Sequence, residues 1–196
     1  MTLGPEYFEE VYAASPDPWG FTTRWYEQRK YALSLAMLPW REYDHAFEPG
    51  CSIGVLTALL APRCRRLLSC DVSPRAVREA RRRVPAATVE QRMIPGEWPP
   101  GTFDLIVFSE VLYYLGQDDL RRVLELAAGS LKPAGTLLAV HWRHLVADYP
   151  LTGDQVHDAI PGTGLSLLAE HREADFRAEV YVNGPPTSVA AAEGLT

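Results

Sequence analysis

The stretch Glu48-Pro49-Gly50-Cys51-Ser52-Ile53-Gly54 (EPGCSIG) decides the fold of this chain. It follows a short apolar-leaning run, Asp44 to Phe47, and leads into a helical pattern from Gly54 to Leu60, so it reads as a turn from a strand into a helix. A second unit of the same kind follows. Arg66 to Cys70 (RLLSC) is a strand closed by Asp71, and Ser73-Pro74 opens a helix with Ser73 as cap and Pro74 at its first position. Ala87 to Gln91 is a third, weaker strand, whereas Phe103 to Phe108 (FDLIVF) is continuously apolar, as in a strand buried on both faces of a parallel sheet. Asp118 and Asp119 start a helix whose apolar positions, Leu120, Val123, Leu124, Ala127 and Leu131, form one face, and Lys132 to Gly135 (KPAG) ends it. Thr136 to Val140, Leu165 to Ala169 and Phe176 to Val182 supply the last strands. The alternation predicts an α/β fold around a central, largely parallel sheet.

Upstream, residues 1–40 hold Tyr7, Phe8, Tyr12, Trp19, Phe21, Trp25, Tyr26 and Tyr31. Arg24 to Leu38 has no internal Pro or Gly and reads as a helix that either covers a sheet edge or forms a lid over a ligand. Residues 184–196 lack apolar periodicity and read as a flexible tail. The 196 residues suffice for one domain, with 1–40 belonging to the same domain as the core at 41–183. With 25 acids against 19 bases the net charge is -6, so no global positive field exists to hold nucleic acid. The Arg78 to Arg83 run accordingly reads as a solvated helix face. Three cysteines without zinc spacing argue against a metal or a disulfide framework and fit a reducing cytoplasm. No apolar run is long enough to span a membrane.

The ends of the strands are where ligands bind in such sheets. A nicotinamide-type loop needs G-x-G-x-x-G, but Ser52 and Val55 stand where the second and third glycines would be, counted from Gly50. Glu48 also disfavours a phosphate at this helix end and suits a cationic or zwitterionic ligand. Asp71 is placed to accept hydrogen bonds from vicinal ribose hydroxyls. Together these residues imply a nucleoside without a pyrophosphate.

The same residues resemble the class I methyltransferases that use S-adenosylmethionine, and within them the nodulation protein S (NodS)-like branch. EPGCSIG is similar to the family's E-x-G-C-G-x-G, with Ser52 in place of the middle glycine; DVSPRAV, FDLIVFSEVLYYL and LKPAGTLLAVHWR resemble later family segments. DPWGFTTRWYEQRKYALSLAMLP, HWR and DYPLTGDQVH resemble the narrower branch. The resemblance implies a Rossmann-like three-layer sandwich: a seven-stranded, mostly parallel sheet with an antiparallel C-terminal strand and an N-terminal covering helix. It implies that Glu48, Gly50 and Gly54 shape the pocket for the methionine moiety, that Asp71 holds the ribose, and that Val72 packs on the adenine; Cys51 lies in the same cofactor-binding loop, where a small buried thiol reads as packing rather than chemistry. Arg92, Met93 and Ile94 would frame the adenine, and Ser109 and Glu110 would close the pocket near the sulfonium. Tyr26 and Lys30, one helical turn apart, either close over the cofactor carboxylate or the acceptor or form a surface pair on a covering helix. Val72 and Met93 read equally well as core residues.

Methyl transfer needs positioning and, for an amine acceptor, a group to take a proton. Glu110, His141 and Tyr113 are the candidates for that chemistry, with Trp19, Trp25, Tyr114, Trp142 and Arg143 as candidate acceptor contacts; Glu110 and His141 read alternatively as satisfied structural residues. Likeness to NodS, which methylates the amino group of a deacetylated glucosamine unit, implies an amine or amino sugar as the small-molecule acceptor. O-methylation of a small hydroxylated metabolite is the alternative, and a non-catalytic nucleoside-binding module is a third reading.

Overall fold

A computed structural model describes residues 1–196. Two helices, α1 (Pro5–Ala14) and α2 (Trp25–Met37), precede the alternating part of the chain. Then come β1 (Tyr43–Pro49), α3 (Val55–Leu60), β2 (Cys64–Asp71), α4 (Pro74–Arg83) and β3 (Thr88–Gln91). The second half holds β4 (Phe103–Ser109), α5 (Gln117–Ser130), β5 (Leu131–Trp142), α6 (Gly153–Ala159), β6 (Ser166–Arg172), β7 (Phe176–Val182) and the short α7 (Val189–Ala192). The seven strands form one sheet in the order β3-β2-β1-β4-β5-β7-β6. β1 to β5 pair in parallel, and β7 runs antiparallel to both β5 and β6.

The order reverses between β1 and β4, which places a crevice at their carboxyl ends. β4 is the central strand, and Phe103, Leu105, Ile106, Val107 and Phe108 have no exposed surface. Each such side chain contributes about 1.5–3 kcal/mol by leaving water. Alternation along β4 divides them between two cores. Ile106 and Phe108 join Val123 and Leu124 of α5 on one face, while Leu105 and Val107 join Tyr31 of α2 and Leu56 of α3 on the other.

Several local readings shift. Lys132 to Gly135 is not a loop beyond α5: it lies within β5, where Leu131 already pairs with Phe103 across a register irregularity and Ala134 takes φ 59°. β6 continues past Ala169 to Arg172 because β7 pairs with it throughout. α1 and α6 carry no strong sequence signal; α6 is seven residues long and is held by a capping box between Thr152 and Gln155. The tail contains α7, capped by the Ser188 hydroxyl, which accepts from the Ala191 N–H. Ser73 caps α4, its hydroxyl accepting from the Arg75 and Ala76 N–H groups.

Candidate active site

The crevice opens into a cavity of about 590 Å³, roofed by residues of the segment that carries α1 and α2. Its base begins with the glycine turn. Gly50 has φ 75°, and a Cβ there would lie 2.6 Å from Val111 Cγ2, so the turn tolerates no side chain. The Gly50 and Cys51 N–H groups both donate to the Cys70 carbonyl, at 2.7 and 2.9 Å. Ser52 occupies the left-handed region at φ 50°, a conformation that glycine adopts more readily. Its N–H donates to Asp71 Oδ2 at 2.9 Å, and its hydroxyl shares a 2.6 Å hydrogen bond with Tyr12. Two polar contacts thus hold the strained residue.

Asp71 lines the cavity. Its other oxygen accepts from the Ser73 N–H at 2.9 Å. Burial raises the carboxyl to about 6, against the lowering effect of these N–H donors. Val72, Arg92, Met93 and Ile94 line the same end, and Ser109 the floor.

The opposite end holds a buried ionic cluster. Lys30 of α2 is 1% exposed, and its Nζ lies 2.9 Å from Glu27 Oε2 and 2.5 Å from Glu110 Oε1. Glu110 has φ 57°, an unfavourable backbone for a glutamate. Its side chain is held from every direction: besides Lys30, Oε2 accepts from the Tyr113 hydroxyl at 2.7 Å and the Trp142 N–H at 2.8 Å. Burial pushes the Glu27 carboxyl up, opposed by the charge of Lys30. Glu27 Oε2 has the ion contact but no directional hydrogen bond, and the buried Tyr26 hydroxyl has no partner at all. The Tyr26 ring meets Trp142 edge-on at 5.5 Å. Trp19 and Tyr114 also line the cavity.

Six expected site residues lie elsewhere. Glu48 faces the interior beneath the turn, 2% exposed, where its Oε2 accepts from the Thr57 and Ser69 hydroxyls at 2.7 and 2.8 Å; burial raises it to about 7. Cys51 packs with Val77 and Val89, and burial pushes its thiol well up, leaving it unreactive. Gly54 serves packing: a Cβ there would lie 2.9 Å from Ala80 Cα of α4. His141 is wholly buried beneath the site, and burial holds its ring far below the usual imidazole range, so it is no base at the cavity. Trp25 is 73% exposed and lies off the lining because α2 turns its other face inward. Arg143 is committed to Asp154 through two hydrogen bonds, at 2.9 and 3.0 Å. Sequence reasoning missed Glu27, whose signal was its position three residues before Lys30 on one helical face, and Tyr12, whose helix α1 was not anticipated.

A sheet of this order with one reversed strand, a glycine turn after β1 and an acid ending β2 defines the class I methyltransferase fold. The NodS family profile, described as Nodulation protein S (NodS), matches residues 8–148. This chain belongs to the NodS family. It is 37% identical to Nodulation protein S of Rhizobium tropici over 136 residues, covering 64% of this chain and 55% of that protein. Against Nodulation protein S of Bradyrhizobium diazoefficiens it is 40% identical over 124 residues, covering 59% and 54%. The chain thus spans about half the length of these curated relatives. Among solved structures, N-methyltransferase NodS from Bradyrhizobium japonicum, in complex with S-adenosylhomocysteine, superposes with a TM-score of 0.83 at 25% identity, covering 92% of this chain and 98% of that one. A methyltransferase candidate from Pseudomonas syringae is 45% identical with a TM-score of 0.72, covering 81% and 99%. No helix of this chain is long and apolar enough to cross a membrane.

Proposed function

We propose that this chain transfers a methyl group from S-adenosylmethionine to an amine on a small molecule, with an amino sugar as the acceptor class. The cavity fits the cofactor. Asp71 offers a carboxylate to ribose hydroxyls, Val72, Met93 and Ile94 offer an apolar frame to a base, and Gly50 leaves room where a Cβ would collide. When bound, the cofactor supplies an electrophilic methyl on a sulfonium.

The observation that carries the amine reading is the Glu27–Lys30–Glu110 cluster, two carboxylates around one ammonium on the cavity wall. An amine arrives as a cation beside a cationic sulfonium, and a buried wall with excess carboxylate offsets that repulsion. Glu110 already accepts from Lys30, the Tyr113 hydroxyl and the Trp142 N–H, and keeps Tyr113 and Trp142 in place. Glu27, with an oxygen free of directional hydrogen bonds and a carboxyl raised by burial, takes the proton that frees the lone pair. The Tyr26 hydroxyl, unpartnered and facing the same end, orients the acceptor. Holding the reactants in line contributes roughly 7–11 kcal/mol of barrier reduction.

Two measurements test the reading. S-adenosylhomocysteine at a hundredfold excess over its Kd should stabilise the protein by about 2.7 kcal/mol, roughly 5–11 °C in Tm. A screen of aminosugars, amines and phenols, read by a mass gain of one methylene, should favour the amines. Transfer to phenols alone would defeat the acceptor assignment, and no thermal shift would defeat the cofactor assignment.

A further inference from the structure

His141 and His157 are fully buried outside the cavity and are linked to each other, His141 Nδ1 lying 3.2 Å from His157 Nε2. Their protons are determined by what surrounds them. The Leu112 N–H is a fixed donor, and it points at His141 Nε2 at 3.3 Å, so that nitrogen is bare. His141 therefore carries its proton on Nδ1 and donates to His157 Nε2. His157 in turn carries its proton on Nδ1 and donates to Glu179 Oε2 at 2.6 Å. The same oxygen accepts from the Tyr181 hydroxyl at 2.8 Å, and Arg177 Nε donates to the other oxygen at 2.7 Å. Burial opposes the Glu179 charge, but the His157 and Tyr181 donors and the Arg177 charge hold its carboxyl below the usual range. Burial holds the His141 ring neutral, and the charge of Lys30 adds to it. No other assignment satisfies every partner: protonating His141 Nε2 would set two donors face to face.

The chain of hydrogen bonds begins at the anchored carboxylate of β7 and ends on the turn Leu112–Tyr114. That turn carries Tyr113, whose hydroxyl donates to Glu110, and Tyr114, which lines the cavity. The segment leading into α6 reaches the same turn a second time, the Leu151 N–H donating to the Tyr113 carbonyl at 3.2 Å. α6 is also pressed onto the end of β5. A Cβ on Gly153 would lie 2.1 Å from the Trp142 carbonyl oxygen, and Asp154 grips Arg143. The strand end so clamped is the one whose Trp142 N–H donates to Glu110.

We propose that His157 and Glu179 are positioning residues for the transfer site, acting through His141 and the Leu112–Tyr114 turn to place the Tyr113–Glu110 pair. The proposal rests on the reading of the cavity as the transfer site. Loss of the relay displaces Tyr113 and Glu110 but leaves the Asp71 end of the cavity untouched, so it lowers turnover and spares cofactor binding.

The test uses the full chain labelled with ¹⁵N-histidine. In the unmutated protein both rings should show the Nδ1–H tautomer at neutral pH, and an Nε2–H tautomer or an imidazolium at His141 would overturn the relay. His157→Gln keeps an acceptor and a donor at similar separation, whereas His157→Leu keeps neither. Displacement of the reacting groups by about 1 Å costs roughly 10²-fold in rate. His157→Leu should therefore lose about 10²-fold in kcat, with the KM for S-adenosylmethionine and the Kd for S-adenosylhomocysteine unchanged, and His157→Gln should recover most of the rate. Unmutated kcat in His157→Leu would refute the positioning role. If the parent protein methylates nothing, the proposed function fails, yet the relay is still decided. The tautomers of the parent protein report it, and so does the near-ultraviolet circular dichroism of the Tyr113–Tyr149 stack, centroids 5.0 Å apart, which His157→Leu should change and His157→Gln preserve.

Discussion

Replacing Asp71 with Asn removes one charge and little volume from the end of the cavity where the ribose is proposed to sit. The carboxylate accepts the Ser52 and Ser73 N–H groups at 2.9 Å each and leaves its remaining lone pairs to a ligand. A hydrogen bond to a charged group is worth about 1.5–3 kcal/mol. The Kd for S-adenosylhomocysteine at pH 7.5, measured by calorimetry, should therefore rise roughly 10- to 150-fold in Asp71→Asn. The pH dependence sharpens the test. The Asp71 carboxyl is raised to about 6 by burial, and ribose hydroxyls donate best to its ionised form. Affinity should be flat above pH 6 and fall about tenfold per unit below it in the parent protein, and stay flat in the variant. Stability without ligand moves the other way. A group whose folded pKa is raised adds stability that is full below its ordinary value of 3.8 and is lost as the pH climbs through about 6. Between pH 7 and 5 the ligand-free parent should thus gain stability relative to Asp71→Asn while binding more weakly. Equal dissociation constants for the two proteins at pH 7.5, or a parent affinity independent of pH from 7.5 to 5, would refute the ribose role.

Lys30→Met strands Glu27 and Glu110 without their cation and should cost about 3–5 kcal/mol in denaturant unfolding, with part of the loss restored by adding Glu27→Gln. Glu48→Gln should stabilise the protein at pH 8 by on the order of 3 kcal/mol and leave it unchanged at pH 4: Glu48 is raised from 4.5 to about 7, so the stability of its protonated form is complete below 4.5 and lost as pH rises through 7, while Gln retains it throughout. The same variant should bind S-adenosylhomocysteine as the parent does, because Glu48 lies behind the turn and off the cavity. Gly153→Ala forces a Cβ to within 2.1 Å of the Trp142 carbonyl and should lower Tm, by roughly 2–12 °C for an overpacking cost of about 1–3 kcal/mol.

What the sequence determined by itself was the succession of elements from β1 to β5, because the signals there are local. A continuous apolar run such as Phe103 to Phe108 excludes water from both faces, a serine before a proline starts a helix, and an acid closing β2 sits at the ligand end of any sheet wound this way. Tertiary structure decided which ionisable groups share the cavity. Lys30 and Glu110 lie 80 residues apart, and only the docking of α2 against the end of β4 makes them partners at 2.5 Å. At the end of β5, consecutive side chains point to opposite sides of the sheet, so Trp142 reaches the cavity while His141 turns into the core beneath it. The sequence placed both residues at the right strand end; the pleat and the packing of α6 gave one a place in the cavity wall and the other a place in the support behind it.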